Sequence, residues 1–372
     1  MAVVFWSSVV SLFYIYLGYP ILIGLIARLF PKPVARVDNT LPDISIIMSC
    51  YGELDKLAAK IENILSCDGA GRIKEILVGL DGVAPENNPV VTAHPAVRLI
   101  PFPSRRGKPS VLNDLTPMAT GDVVIMMDVR QRLDRPALIA LLENFQDPTI
   151  GVVSGELVFV AEAGDSADAA SIDVYWKLEK WLRTREGQFA SVPGATGALY
   201  AIRRALIKPL PAGAALDDVI IPMHAIAQGY RCIFEPRAKM FDRPAQDAER
   251  EAVRKRRTLA GCVQLLKWYP HWMLPFGHPI WWQFGSHKIA RLFSPVFLLL
   301  AAVSCAALVG HPLYAALAVA QIAGYATATA GLLTRKRGIV RMAGVFLKMQ
   351  GTLIQAWRDG LPAKNLALWT RA

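Results

Sequence analysis

The chain reads as an α/β protein, a doubly wound and mostly parallel sheet between layers of helices, joined to transmembrane helices at both ends. Three observations predict this. Short apolar runs stop at carboxylates, as residues 76–80 do before Asp81 and 123–127 before Asp128. These runs alternate with segments of helical periodicity, the βαβ pattern of a parallel sheet whose strands are buried on both faces. Uncharged apolar stretches long enough to cross about 30 Å of hydrocarbon lie toward each end.

A chain of 372 residues exceeds one ordinary core, and 53% hydrophobic residues with a mean hydropathy of +0.32 make a membrane the second unit. Residues 1–28 carry no charge before Arg28, no basic leader and no small-residue cleavage site, so they are expected to be a retained anchor. Residues 29–42 form a linker punctuated by Pro31, Pro33 and Pro42. Residues 43–265 hold the sheet domain. Its expected elements are strand 44–48, helix 54–65, strands 76–80 and 97–101, a helix opened by 105–108 and running to about 118, strand 123–127 and a returning strand in 150–160. Then follow a polar, aromatic helix at 175–185, a small-residue loop at 193–197 entering a strand, and helices at 220–228 and 249–257.

Beyond the domain, Trp268, Tyr269, Trp272, Trp281 and Trp282, broken by Pro270, Pro275 and Pro279, read as interfacial helices over 266–290. Residues 291–334 read as a transmembrane hairpin, two apolar runs split by Gly310-His311-Pro312. In 335–372, Arg341, Lys348 and Gln355 recur seven apart, which predicts an amphipathic surface helix and a tail. Cations gather at Arg28, Lys32 and Arg36, at Lys288 and Arg291, and at Arg335, Lys336, Arg337 and Arg341. By the positive-inside rule the domain is cytoplasmic, on a multi-pass protein of the inner (plasma) membrane. The net charge of +11 follows the spans and no nucleic-acid motif appears, so the expected anionic partner is lipid or substrate rather than nucleic acid. The five cysteines are odd in number and lack a CxxC pair, which disfavours a zinc site or a disulfide framework.

Asp81 and Asp128 end strands where open α/β sheets place ligands, although either alone reads equally well as a turn residue. Arg105-Arg106-Gly107-Lys108 opens a helix, a corner suited to phosphate but without Walker spacing. The 193–197 glycines permit close backbone approach, and a plain hairpin is the competing account. Asp217 and Asp218 at a helix start either cap it or supply a general base. Arg250, Arg254, Lys255, Arg256 and Arg257 make either a solvated face or an anion site.

Taken in order, these motifs resemble the membrane-bound family 2 glycosyltransferases, whose A-type nucleotide-sugar domain carries a series of aspartates and ends in transmembrane helices. The resemblance implies roles. Ile44 to Glu53 is similar to the opening strand and nucleotide loop, which puts Tyr51 and Glu53 beside the nucleotide with Asp81. Lys108 takes the diphosphate. Asp128-Val129-Arg130 stands at the DxD position, so Asp128 is the expected ligand of a divalent cation, Mg2+ or Mn2+, and Arg130 replaces the second carboxylate. Gly194, Thr196 and Gly197 resemble the acceptor-flanking loop. Asp217-Asp218 matches the Glu-Asp of the TED motif, which makes Asp218 the catalytic base with Asp217 beside it. Arg254 and Arg257 lie where processive members carry QxxRW, here without the Trp. The implied activity is inverting, non-processive transfer from a nucleotide-diphosphate sugar to a membrane lipid or lipid-linked acceptor. A catalytically silent, membrane-tethered nucleotide-sugar-binding partner subunit is the rival, and a transporter is disfavoured because the apolar runs carry no ionisable residue beyond His311. The motifs specify neither the sugar nor the oligomeric state.

Overall fold

The structure, a computed structural model, describes residues 1–35, 40–52, 54–82, 94–160, 168–243, 248–333, 338–362 and 366. Among the described residues eight strands form one sheet: β1 (Ile44–Cys50), β2 (Ile73–Asp81), β3 (Val97–Phe102), β4 (Val123–Met127), β5 (Arg132–Leu133), β6 (Ile150–Phe159), β7 (Leu199–Arg203) and β8 (Arg231–Asp242). Their spatial order is β3-β2-β1-β4-β7-β6-β8-β5. β1 pairs in parallel with β2 and β4, so the strand order reverses at β1 and a crevice opens at the carboxyl ends of β1 and β4.

The sheet is mostly parallel, as its sequence predicts, with antiparallel pairings at β7 and β5. β7 runs antiparallel to both β4 and β6, and β5 antiparallel to β8. Only the block β3-β2-β1-β4 and the β6–β8 pair are parallel. The β7 insertion matters for the site. Because β7 is antiparallel to β4, its first residue Leu199 lies opposite Met127 and carries the loop before it to the tip of β4.

Burial explains the unbroken apolar strands. Ile44, Ile46, Ile47 and Met48 are fully buried, the even-numbered three against the Leu54–Leu65 and Ala137–Leu142 helices and Ile47 against the opposite layer. That second layer holds the Lys108–Leu115, Asp217–Ala227 and Ala248–Trp268 helices.

Among the described residues three helices are long and apolar enough to cross a membrane: Ala2–Leu29, Trp281–Ala306 and Pro312–Leu333. The second begins at Trp281 rather than at Leu292, because π and 3-10 turns over Phe284–Phe293 carry the chain into the Ser294–Ala306 helix. His287, Lys288 and Arg291 therefore ride on its amino end. They meet the domain there. His287 Nδ1 lies 2.9 Å from Glu186 and Nε2 3.1 Å from Glu179, and the Tyr19 hydroxyl of the first span donates to Glu186.

The final helix, Ile339–Gly360, packs along the hairpin at a point of backbone contact, where a Cβ on Gly331 would fall 1.9 Å from the carbonyl oxygen of Val340. Its far end reaches the domain. Trp357 Nε1 donates to the carbonyl of Leu292 at 2.8 Å, and Arg256 pairs with Asp359. Glu53, Arg36, Arg335, Lys336 and Arg337 lie outside the described residues, so nothing structural attaches to the roles read for them.

Candidate active site

Four segments converge at the crevice. Lys108 comes from the first turn of its helix, Asp128 from the tip of β4, the 194–197 loop from the start of β7, and Asp217 and Asp218 from the first turn of the Asp217–Ala227 helix. Lys108 Nζ ties them together, lying 3.1 Å from Asp128 Oδ1, 3.3 Å from Asp217 Oδ2 and 3.3 Å from the carbonyl oxygen of Gly197. Burial alone would lower the Lys108 pKa, but Asp128, Asp217 and Asp218 together raise it, so the ammonium stays charged.

The carboxylates differ in role because their surroundings differ. Burial favours the neutral form of Asp128, yet Lys108, then Arg130 and Arg257, hold it below the ordinary carboxylate range. Its side chain is 41% exposed against 9% for Asp217, so Asp128 faces the crevice and Asp217 backs it. Asp218 is pushed up to about 6, by burial first and by the neighbouring Asp217 charge second, with Lys108, Lys288 and Arg183 opposing. A carboxylate with such a pKa is ionised at neutral pH yet basic enough to accept a proton.

The loop is built around Asp218. Ala195 N donates to the Asp218 carbonyl at 2.6 Å, and Gly194 takes φ +114, which favours glycine. A Cβ on Gly197 would sit 2.9 Å from Asp218 Oδ2. Gly197→Ala is therefore expected to displace the carboxylate and lower kcat by roughly 10- to 100-fold with little change in donor KM; steady-state kinetics of the variant check this.

The phosphate-suited corner is more occupied than its sequence implies. Asp81 accepts from the backbone N–H of Arg106 at 2.7 Å and of Gly107 at 2.9 Å, so those donors are spent inside the protein. What the corner offers an anion is side-chain charge. Arg105 stacks on the half-exposed ring of Tyr51, 4.1 Å from its centroid, and Gly82 takes φ +75 beneath the Arg105 backbone. Arg130 turns to Asp242 at the end of β8, and Arg256 to the last helix, while Arg257 lies near enough to Asp128 to favour its charged form. The structure thus brings together Lys108, Asp128, Gly194, Thr196, Gly197, Asp217 and Asp218, while Asp81 and Tyr51 contact the residues just before Lys108. Arg254 is half-buried on the same helix as Arg257.

Among the described residues no three His, Cys, Asp or Glu side chains cluster to hold a metal. Asp128 alone has the exposure and charge for one, and it fits Mg2+ or Mn2+ in the way these ions use one carboxylate together with substrate phosphates.

Residues 42–264 match the family described as "Glycosyltransferase like family 2". The chain belongs to that family. The glycosyltransferase also resembles a poly-beta-1,6-N-acetyl-D-glucosamine synthase of Staphylococcus aureus (strain MSSA476), 23% identical over 221 residues, 56% of this chain and 51% of that one. An N-acetylglucosaminyltransferase of Rhizobium sp. (strain N33) is 25% identical over 177 residues, 45% of this chain and 39% of that one. The chain thus spans about half or less of the length of these two relatives. The solved mannosyltransferase PcManGT from Pyrobaculum calidifontis, in complex with GDP-Man and Mn2+, superposes with a TM-score of 0.71 at 22% identity, over 97% of this chain and all of that one. That likeness shows the fold.

Lys60 and Lys288 escaped the sequence reading as site residues. Lys60 is buried beneath the turn after Asp128, donating to the carbonyl of Gln131 at 2.7 Å, and burial brings it down to about 7 against the pull of Asp128. Lys288 reads in the sequence as a juxtamembrane cation, yet it lowers the pKa of Asp218.

Proposed function

We propose that this glycosyltransferase moves a sugar, with inversion, from a nucleoside-diphosphate sugar to a membrane-associated acceptor, adding one or a few residues rather than threading a long polymer. The observation that carries the reading is Asp218, a half-buried carboxylate with a pKa near 6, set beside Lys108 and Asp128 at the strand tips. The acceptor hydroxyl attacks the anomeric carbon on the side opposite the diphosphate, Asp218 takes its proton, and the bond to the diphosphate breaks. Lys108 and Arg257 face the departing charge. Held by Asp128 and the diphosphate, a divalent cation would supply further neutralisation of the leaving group.

N-Acetylglucosamine is the sugar that the two relatives by sequence support, both being named for its transfer. A membrane-bound acceptor is supported by the spans, the second of which contacts, through His287 and Glu186, the helix that carries Arg183. The domain limits proposed are 43–265 for the catalytic unit, with the spans at Ala2–Leu29, Trp281–Ala306 and Pro312–Leu333 and the domain on the cytoplasmic side.

The test uses the purified full chain with UDP-N-acetylglucosamine, GDP-mannose and other nucleotide sugars, with and without Mg2+ or Mn2+. Nucleoside diphosphate release and the anomeric configuration of the product are read. Expected are release with one donor and an inverted product; binding without release from any donor under any metal would make the chain a silent partner instead. Because the ionised form of Asp218 is the active one, kcat is expected to hold above pH 6 and to fall about tenfold per unit below it. A pH–rate profile whose acid limb lies near pH 4 contradicts this.

A further inference from the structure

Arg183 projects from the Asp168–Phe189 helix behind the acceptor-flanking loop, and its side chain is almost wholly buried. Nη1 donates to Thr196 Oγ1 at 2.8 Å. Nη2 donates to Ser154 Oγ at 2.8 Å and to the carbonyl of Gly194 at 3.3 Å. The partners are locked to one another as well. Ser154 Oγ accepts from Thr196 N at 2.8 Å, and the Thr196 hydroxyl donates to the carbonyl of Gly155 at 2.7 Å. Beneath, the guanidinium lies 4.9 Å from the centre of the Phe234 ring.

Among the described residues no carboxylate pairs with this cation, and its Nε has no hydrogen-bond partner. A buried, unpaired charge costs stability, whereas a neutral side chain would fill the space more cheaply. What a guanidinium adds is a rigid planar fork that reaches several acceptors at once, and a positive charge. Both are directed at one place. The loop it grips donates to the Asp218 carbonyl through Ala195 and closes on the Asp218 carboxylate at Gly197. The charged groups that act on that carboxylate are Asp217 on its own helix, Lys108, Lys288 and Arg183 itself, with Tyr200 and Cys262 as nearby titratable neighbours.

We propose that Arg183 is a positioning residue for proton transfer: by gripping Ser154, Gly194 and Thr196 it fixes the loop against Asp218 and so sets where the acceptor hydroxyl meets the base. This rests on the reading of Asp218 as the base. The contribution of its charge is separate from that of its fork, and the two are separable by substitution. Thr196→Val removes one hydrogen-bond partner and leaves the cation; Arg183→Lys keeps the cation and loses the fork; Arg183→Met loses both.

The experiment measures nucleoside diphosphate release from UDP-N-acetylglucosamine and GDP-mannose by the full chain across pH 5–8, together with the Tm of each variant. Expected for Arg183→Met is a fall in kcat of roughly 100-fold at a donor KM within about twofold of wild type. Its acid limb moves up by about one pH unit as the Asp218 carboxylate loses a cation. Arg183→Lys and Thr196→Val lose about tenfold in kcat with the limb in place. Wild-type kcat in Arg183→Met and Thr196→Val overturns the proposal, as does a fall in kcat that tracks Tm with no movement of the limb. Asp218→Asn, run alongside, separates the two claims. If it turns over normally the base reading is at fault; if it is inactive while the Arg183 and Thr196 variants are normal, only the positioning role is lost.

Discussion

Replacing Asp218 with asparagine is expected to cut turnover by at least about 100-fold while leaving donor affinity near wild type, the loss typical of removing a general base. The substitution preserves the shape of the side chain, so the Gly197 contact and the Ala195–Asp218 backbone bond survive. What disappears is a proton acceptor and one of the three charges that hold Lys108 protonated. Lys108 still has Asp128 at 3.1 Å and Asp217 at 3.3 Å, so its ammonium remains available to the diphosphate. Donor KM, or direct titration with the nucleotide sugar, should therefore move little as kcat collapses. Asp217→Asn gives the contrast. Asp217 is largely shielded and ion-paired, so its loss should lower the Asp218 pKa by removing the adjacent charge and shift the acid limb downward, without abolishing transfer. Wild-type turnover by the Asp218 variant, or an inactive Asp217 variant beside an active Asp218 variant, would move the base assignment.

The parts of this site that were legible in the sequence are those marked by an interruption of pattern. Asp81 and Asp128 stand out because continuous apolar runs end on them, and Asp217-Asp218 because two carboxylates open an apolar helix. The helix at Leu54–Leu65 and the strand at Val123–Met127 follow from periodicity alone, and the structure places both where the pattern does. Spatial order is another matter. Nothing in the chain announces that β7 inserts between β4 and β6, since pairing direction is settled by distant partners, and that insertion is what brings Gly197 to Lys108. Buried charges were invisible for a related reason. Lys60, Arg183 and Glu186 each sit on a helix where a charged residue ordinarily marks the solvent face, and only tertiary contact shows them pointing inward. Arg130 is a similar case: the sequence places it beside Asp128 at the DxD position, but its partner is Asp242, far away in sequence, which holds its guanidinium.

The largest structural effect is expected at Glu186. Its side chain and that of His287 are both fully shielded from solvent, and the Glu186 carboxylate accepts from the Tyr19 hydroxyl and contacts the His287 ring at 2.9 Å. On its other nitrogen His287 meets Glu179, and Arg291 stands 3.9 Å from the same carboxylate. Burial by itself would raise the pKa of Glu179, but His287, then Lys288 and Arg291, hold it well below the usual range. This chain of groups joins three pieces that are remote in sequence: the first span, the helix that carries Arg183, and the amino end of the second span. Glu186→Ala removes one partner and leaves a buried ring and a buried hydroxyl without their acceptor, so a loss of about 3–5 kcal/mol is expected. Tyr19→Phe, which deletes a single hydrogen bond, should cost about 1 kcal/mol. The decisive comparison is Glu186→Gln, which keeps the shape of the side chain and an acceptor oxygen for the Tyr19 hydroxyl. If the penalty comes from orphaned polar groups, this variant retains much of the stability lost in Glu186→Ala. Thermal unfolding of the detergent-solubilised chain reads all three. A Glu186→Ala protein as stable as wild type would mean that the network carries no net stability, and that apolar contacts such as Gly24 against Trp181 hold the anchor to the domain instead. Because the depressed Glu179 carboxylate stabilises the fold only while ionised, its contribution is present above the ordinary carboxylate pKa of about 4.3 and is lost as pH falls below it. The wild type should therefore lose Tm steeply on acidification, and Glu179→Gln should flatten that dependence.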